Sequence, residues 1–351
     1  MNPTHLNDVL RLELNRCGLV ERSFLLHGTR LTVRSNSSFL LDAVEQGLAY
    51  YSQNVSDGPA EIEFLLLDHP LSELGSLALT GSPVLHFDSE VDDEQGITGS
   101  MGLHLKYYTW ETLEVADFGP TGQLFVDPSG TLGVALISPC SSPSPRALNY
   151  IFSLGLASLL RMKGRYFIHA AGLAENGKGV IIPASSGRGK TTLSLALVRG
   201  GFQFLGDDRL LIERAADHIR VLGFLESVNV TDETISLFQE IRCLPEKAFG
   251  SSARKKNFRL EQVYPGCTVE SCNPEVLLFP SIIDEGASRV EPAPKMEAVV
   301  GLLPHSLLVL DKEVARSHFQ LLCRMVERMH CYRLYFGRDF REVPHLVREL
   351  L

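Results

Sequence analysis

The stretch "GVIIPASSGRGKTTLSLALVRGG", residues 179–201, constrains the fold more than any other part of the chain. An apolar run fit for a buried strand passes through small residues and emerges as a helix-patterned segment, which ends on two glycines suited to a C-terminal cap. Within it, Ala184 to Thr191 matches the phosphate-loop pattern G-x-x-x-x-G-K-[ST], with alanine in the first place. Small residues let the backbone of Ser185, Ser186, Gly187, Arg188 and Gly189 curl so that successive N–H groups point inward, and the helix start adds positive partial charge. A polyphosphate fits such a cup. Lys190 would reach its outer phosphates, and the Thr191 hydroxyl would help hold the magnesium ion that accompanies them.

Two further features fall at suggestive distances. Asp207 and Asp208 sit between two apolar runs, 17 and 18 residues after Lys190, where a strand from the next unit would return them beside the loop. Adjacent carboxylates at a strand end can divide labour, one on magnesium and one accepting a proton from an attacking hydroxyl. His169, in "YFIHAAG", lies 21 residues before Lys190. Taken alone, a histidine in an apolar strand is a core residue more often than a catalytic one.

A chain of 351 residues exceeds the usual size of one hydrophobic core, and the Ser/Pro breaker "CSSPSPRAL" at 140–148 divides it. Before that point, β-patterned pieces at 23–35, 61–68, "SPVLHFDS", "LHLKYYTW", "QLFVD" and "TLGVALIS", with one helix at 38–50, predict a largely antiparallel α+β domain over 1–140. From 141 to 351 the reading is a helix, "RYFIHAAGLAE" as one strand joined through "NGKG" to "GVIIPAS", then the loop and its helix. Further on come strands flanking the Asp pair, a helix over 231–241, a solvated basic loop at 250–262, a strand at "PEVLLFPSII" and helices at 295–303 and 311–329. A last strand and a closing helix capped by Asp339 complete the chain.

Composition narrows the class. With 33 Lys+Arg against 42 Asp+Glu the formal charge is -9, which argues against a general nucleic-acid or anionic-membrane surface. The seven cysteines form no C-x-x-C pair, so neither a zinc site nor a disulfide framework is expected, and reduced thiols fit the cytoplasm. The first residues lack a signal-peptide layout and no apolar run reaches membrane-spanning length, so a soluble cytoplasmic protein is expected, with oligomerisation left open.

The ordered set "IHAAG", a short hairpin, "SSGRGKTT" and "GDDRLLI" resembles the catalytic core of the HPr kinase/phosphorylase family, whose P-loop fold is shared with ATP-dependent phosphoenolpyruvate carboxykinase. The resemblance is firm over 165–213 and looser from about 145 to the end. It implies an α/β, HPr kinase-like nucleotide-binding domain behind the α+β domain, with ATP and Mg2+ as cofactors and transfer of the γ-phosphoryl group to a hydroxyl of a protein, peptide or small molecule. By position it implies Asp207 as the base, with Asp208 and His169 supporting it or the metal. Lys190 and the loop backbone would hold phosphates, and Thr191 the metal with Thr192 beside it; Glu233, at the next helix start, is a second metal candidate. The chain departs from the family where a glycine-rich E-I-R-G-L-G segment would follow the Asp pair; it carries "SVNVTDETISLF" instead. The resemblance therefore does not extend to the phosphorylase reaction or to HPr as acceptor. Two alternatives stay open: a nucleotide-binding regulatory module without chemistry, and a carboxykinase acting on a keto acid.

Overall fold

The structure, a computed structural model, describes residues 18–52, 58–68, 82–90, 103–110, 112–141, 143–185, 187–216, 218–245, 250–252, 255–284, 286–305, 312–337 and 339–351. It is a mixed α/β architecture with two large sheets, and the chain divides into two compact units, Met1–Gly164 and Arg165–Leu351.

The first unit runs β1 (Val20–Leu26), β2 (Thr29–Ser35), α1 (Ser38–Gly47), β3 (Ile62–Asp68), β4 (Val84–Glu90), β5 (His104–Trp110), β6 (Leu113–Asp117), β7 (Gly122–Val126), β8 (Leu132–Ile137) and α2 (Pro145–Met162). The strand order is β1-β2-β3-β8-β7-β6-β5-β4. Pairing is antiparallel except at β2–β3 and β3–β8, which are parallel. Strand β6 was not legible beforehand, because "LEVAD" is too short and acidic to stand out. The α2 helix starts on a Ser144 hydroxyl that accepts from the Ala147 amide at 3.2 Å, with Pro145 in the first turn where its missing N–H costs nothing. Its buried residues pack on β7 and β8, and the Phe152 ring meets Phe64 of β3 edge-on at 4.9 Å. This helix therefore belongs to the first unit, and the division falls after Gly164 where the sequence suggested 140/141.

The second unit continues with β9 (Arg165–Ile168), β10 (Ala171–Glu175), β11 (Lys178–Ile182), α3 (Lys190–Arg199), β12 (Gln203–Gly206), β13 (Leu210–Ala215), β14 (His218–Gly223), β15 (Val228–Val230), α4 (Asp232–Leu237) and α5 (Gln239–Arg242). Then come β16 (Gly250–Ser252), β17 (Lys255–Phe258), β18 (Ser271–Ile282), β19 (Arg289–Pro292), α6 (Lys295–Leu302), α7 (Lys312–Arg328), β20 (His330–Phe336) and α8 (Val343–Arg348). The main path is β12-β10-β11-β18-β14-β13-β9, with β20 on β18 and β19 on β20. Burial on both faces explains the continuous apolar runs: along β11, Val180 and Ile182 face one core and Ile181 the other. Helices α3 and α8 cover the first face; α6 and α7 cover the second.

Four local readings change. "RYFIHAAGLAE" is two strands, β9 on β13 and β10 between β11 and β12, with His169 and Ala170 in the gap. The helix over 231–241 breaks at Phe238, whose fully buried ring pulls the backbone to φ -120. Part of the basic stretch is strand: β17 pairs with β15 and β16 in a small sheet, while Arg254 lies outside the described residues. Asp339 does not cap the last helix, which begins after Glu342; its carboxylate accepts from the Ser288 amide and hydroxyl at 2.8 and 2.5 Å.

Candidate functional site

Three strand ends meet because of register. The two-residue turn Asn176–Gly177, both with positive φ (52° and 80°), joins β10 to β11 and pairs Ala171 with Ile182 at the far end. On the other side of β10, Gly172 is level with Gly206. His169 just before β10, the loop just after β11 and Asp207 just after β12 are thereby gathered on one edge of the sheet.

The loop itself is built for tight curvature. Gly187 and Gly189 adopt φ of 80° and 79°, and Gly189 forms the N-terminal boundary of α3 without any side-chain cap. The Leu193 amide closes the first helical bond on the Gly189 carbonyl at 2.8 Å. The amides of Lys190, Thr191 and Thr192 precede that bond, so the first turn directs its unpaired donors and the positive end of its dipole at the loop. Ser185, Gly187 and Arg188 are exposed, and the Arg188 amide donates to the Ser185 carbonyl at 3.3 Å. Ser186 lies outside the described residues.

Lys190 is buried, and its ammonium bridges the other two motifs. Its Nζ is 2.8 Å from Asp208 Oδ1 and 2.9 Å from His169 Nε2. An ammonium only donates, so Nε2 accepts and the ring proton resides on Nδ1. Burial first, then the Lys190 charge, hold the His169 imidazole down at about 4, so it is neutral at pH 7.

The two carboxylates differ. Asp207 is buried, accepting from Thr191 Oγ1 at 2.6 Å on Oδ2 and from Ser194 Oγ at 3.0 Å on Oδ1. Burial and then the adjacent Asp208 charge raise its pKa, against the pull of Lys190 and the two hydroxyls. Asp208 keeps 47% of its side chain exposed. Thr192 Oγ1 lies 3.3 Å from Thr234 Oγ1, which ties α3 to the start of α4, where the Thr231 hydroxyl caps the Thr234 amide. Glu233 is exposed in that turn, and no side-chain hydrogen bond or ion pair among the described residues links it to Lys190, Thr191 or the Asp pair.

Two contributors went unread in the sequence. Ser194 had a signal, a hydroxyl one turn beyond Lys190 in an otherwise apolar helix. His305 had none: it ends a turn after α6, 115 positions beyond Lys190, yet its carbonyl accepts the His169 amide at 2.5 Å and its ring lies 6.2 Å from that of His169 at 21°.

No family model matches this sequence, and no curated protein does. Among solved structures, the Hpr(Ser) kinase/phosphatase from Coxiella burnetii is similar at 14% identity and a TM-score of 0.27, over 52% of this chain and 88% of that one. The likeness is distant.

Proposed function

We propose that the second unit binds ATP at the Ser185–Thr192 loop and transfers its γ-phosphoryl group to a hydroxyl, with a serine or threonine of a protein or peptide as the acceptor. One observation carries this reading: Lys190, His169 and the Asp207–Asp208 pair, far apart in sequence, converge through hydrogen-bonding contacts at the uncapped start of α3. A cation, unpaired amides and a glycine curl suit phosphates; paired carboxylates beside them suit proton removal.

Among the described residues, no cluster of three or more His, Cys, Asp or Glu forms a metal cage. Magnesium commonly takes only one or two carboxylates and completes its shell with phosphate and water oxygens, so Thr191 and the Asp pair fit a cation that arrives with its nucleotide. Bound there, it would neutralise charge on the phosphoryl oxygens. Glu233 remains a second candidate ligand by its place in the chain alone.

The exposures favour a particular division of labour. Asp207, buried with both oxygens engaged, holds Thr191 and Ser194 in place, while Asp208, paired with Lys190 through Oδ1 yet half exposed, meets the acceptor. This reverses the allocation implied by the family resemblance. In the step, the Asp208 carboxylate takes the hydroxyl proton, the acceptor oxygen bonds to the γ-phosphorus, and the bond to the β-phosphate oxygen breaks to release ADP. His169 stays neutral and orients Lys190, whose charge meets the phosphates.

Incubation of the protein with γ-labelled ATP and an extract of the source cells tests this directly. Label should enter a polypeptide with wild type and not with Asp208→Asn, which should still bind ATP. Nucleotide binding without acceptor-dependent turnover would instead identify a regulatory module, and oxaloacetate-dependent formation of phosphoenolpyruvate a carboxykinase.

A further inference from the structure

The His169 backbone lies outside both neighbouring ladders, in the gap between β9 and β10, so its amide must find a partner elsewhere. It finds the His305 carbonyl at 2.5 Å. His305 is itself anchored, because α6 immediately before it buries Ala298 and Leu302 in the core beneath α7. Its half-buried ring lies nearly parallel to that of His169, at 21° with centroids 6.2 Å apart.

We propose that His305 is a positioning residue for this site: its carbonyl fixes the His169 backbone, and its ring restrains the His169 imidazole so that Nε2 stays on the Lys190 ammonium. This rests on the phosphate-binding role proposed for Lys190 and names a group that sustains it. A lysine head group on four rotatable bonds has many orientations, and its direction is set by its acceptors. One of these, Asp208, is itself half exposed; the other is an imidazole that also meets the Asp208 backbone, and the His305 ring beside it adds a further restraint. Burial and the nearby Lys190 charge hold His305 below the ordinary imidazole range, so its ring adds no competing cation at neutral pH. Among the described residues, the charged groups that act on this ring pair are Lys190 and Asp208.

The test compares wild type with His169→Ala, His305→Ala, His305→Phe and the double alanine variant, with Mg·ATP as the probe and thermal melts as the folding control. His305→Ala should weaken Mg·ATP about tenfold, while in the His169→Ala background the same change should cost no more than about twofold, because nothing is left to position. His305→Phe, which keeps a flat ring and the same carbonyl, should restore most of the affinity. Without nucleotide, the side-chain nitrogen resonance of His169 Nε2 should move toward that of an unbonded imidazole in His305→Ala and stay in place in His305→Phe. Equal losses in both backgrounds, no rescue by phenylalanine, or an unmoved resonance would each overturn the proposal. If Lys190→Ala left Mg·ATP affinity intact, the phosphate-binding reading would fall, and the resonance would still decide the role of His305. Should His305→Ala not fold, His305→Asn takes its place.

Discussion

Lys190 is held between a carboxylate and a neutral imidazole, two acceptors that a single positive charge satisfies together. Removing that charge should weaken ATP binding at least tenfold, since a charge-assisted hydrogen bond contributes about 1.5–3 kcal/mol; calorimetry of Lys190→Ala checks this. Another buried imidazole offers a test of stability. His318 on α7 stacks on Tyr166 at 4.9 Å, its Nε2 has no hydrogen-bond partner among the described residues, and burial holds its pKa at about 4, against an ordinary 6.5. Because the unfolded chain takes up this proton at higher pH than the folded one, stability is full above about 6.5 and is lost as pH falls toward 4. The contribution of His318 to that loss is on the order of 3 kcal/mol. Urea unfolding of His318→Phe should show a shallower decline over this window than wild type. A single histidine looks the same in sequence whether it serves the core or the chemistry, so the roles of His318, in an amphipathic helix, and His169, in an apolar run, rest on their neighbours in the fold.

At the scale of elements, the loop and α3 were legible because their residues must answer local backbone demands: positive φ at Gly187 and Gly189, and a helix closed by Gly201 at φ 98°. The two loop glycines should not tolerate substitution equally. A Cβ on Gly187 meets no heavy atom within 4 Å, so Gly187→Ala should cost only the left-handed backbone term of about 1–2 kcal/mol. On Gly189 the same atom would lie 2.7 Å from Phe336 Cζ and 3.2 Å from Ile282 Cδ1, so Gly189→Ala should be the more damaging in both thermal stability and nucleotide affinity. Elements governed by distant partners were harder to foresee. The strand around His169 splits because its halves pair with different neighbours, and the helix after Thr231 breaks because Phe238 has a core to fill. Neither demand is written in the local pattern.

For the molecule as a whole, periodicity and breakers conveyed two bodies and a mixed α/β character, while the boundary eluded the sequence because the Ser/Pro breaker precedes α2, whose apolar face packs on the strands before that breaker. Since the second unit holds its own two cores and every residue of the candidate site, a fragment comprising residues 165–351 should unfold cooperatively and bind Mg·ATP within about threefold of the full chain. Scanning calorimetry and titration of that fragment check both. The hairpin turn at Asn176–Gly177 has a consequence at the opposite end of its strands. One residue inserted there would slide β10 by a single step along β11 and exchange the faces of its side chains, carrying the histidine out of line with the lysine. Spacing between reactive groups is thus metered by a bend that touches none of them, and lengthening that bend should silence the site while leaving each of its residues in the chain.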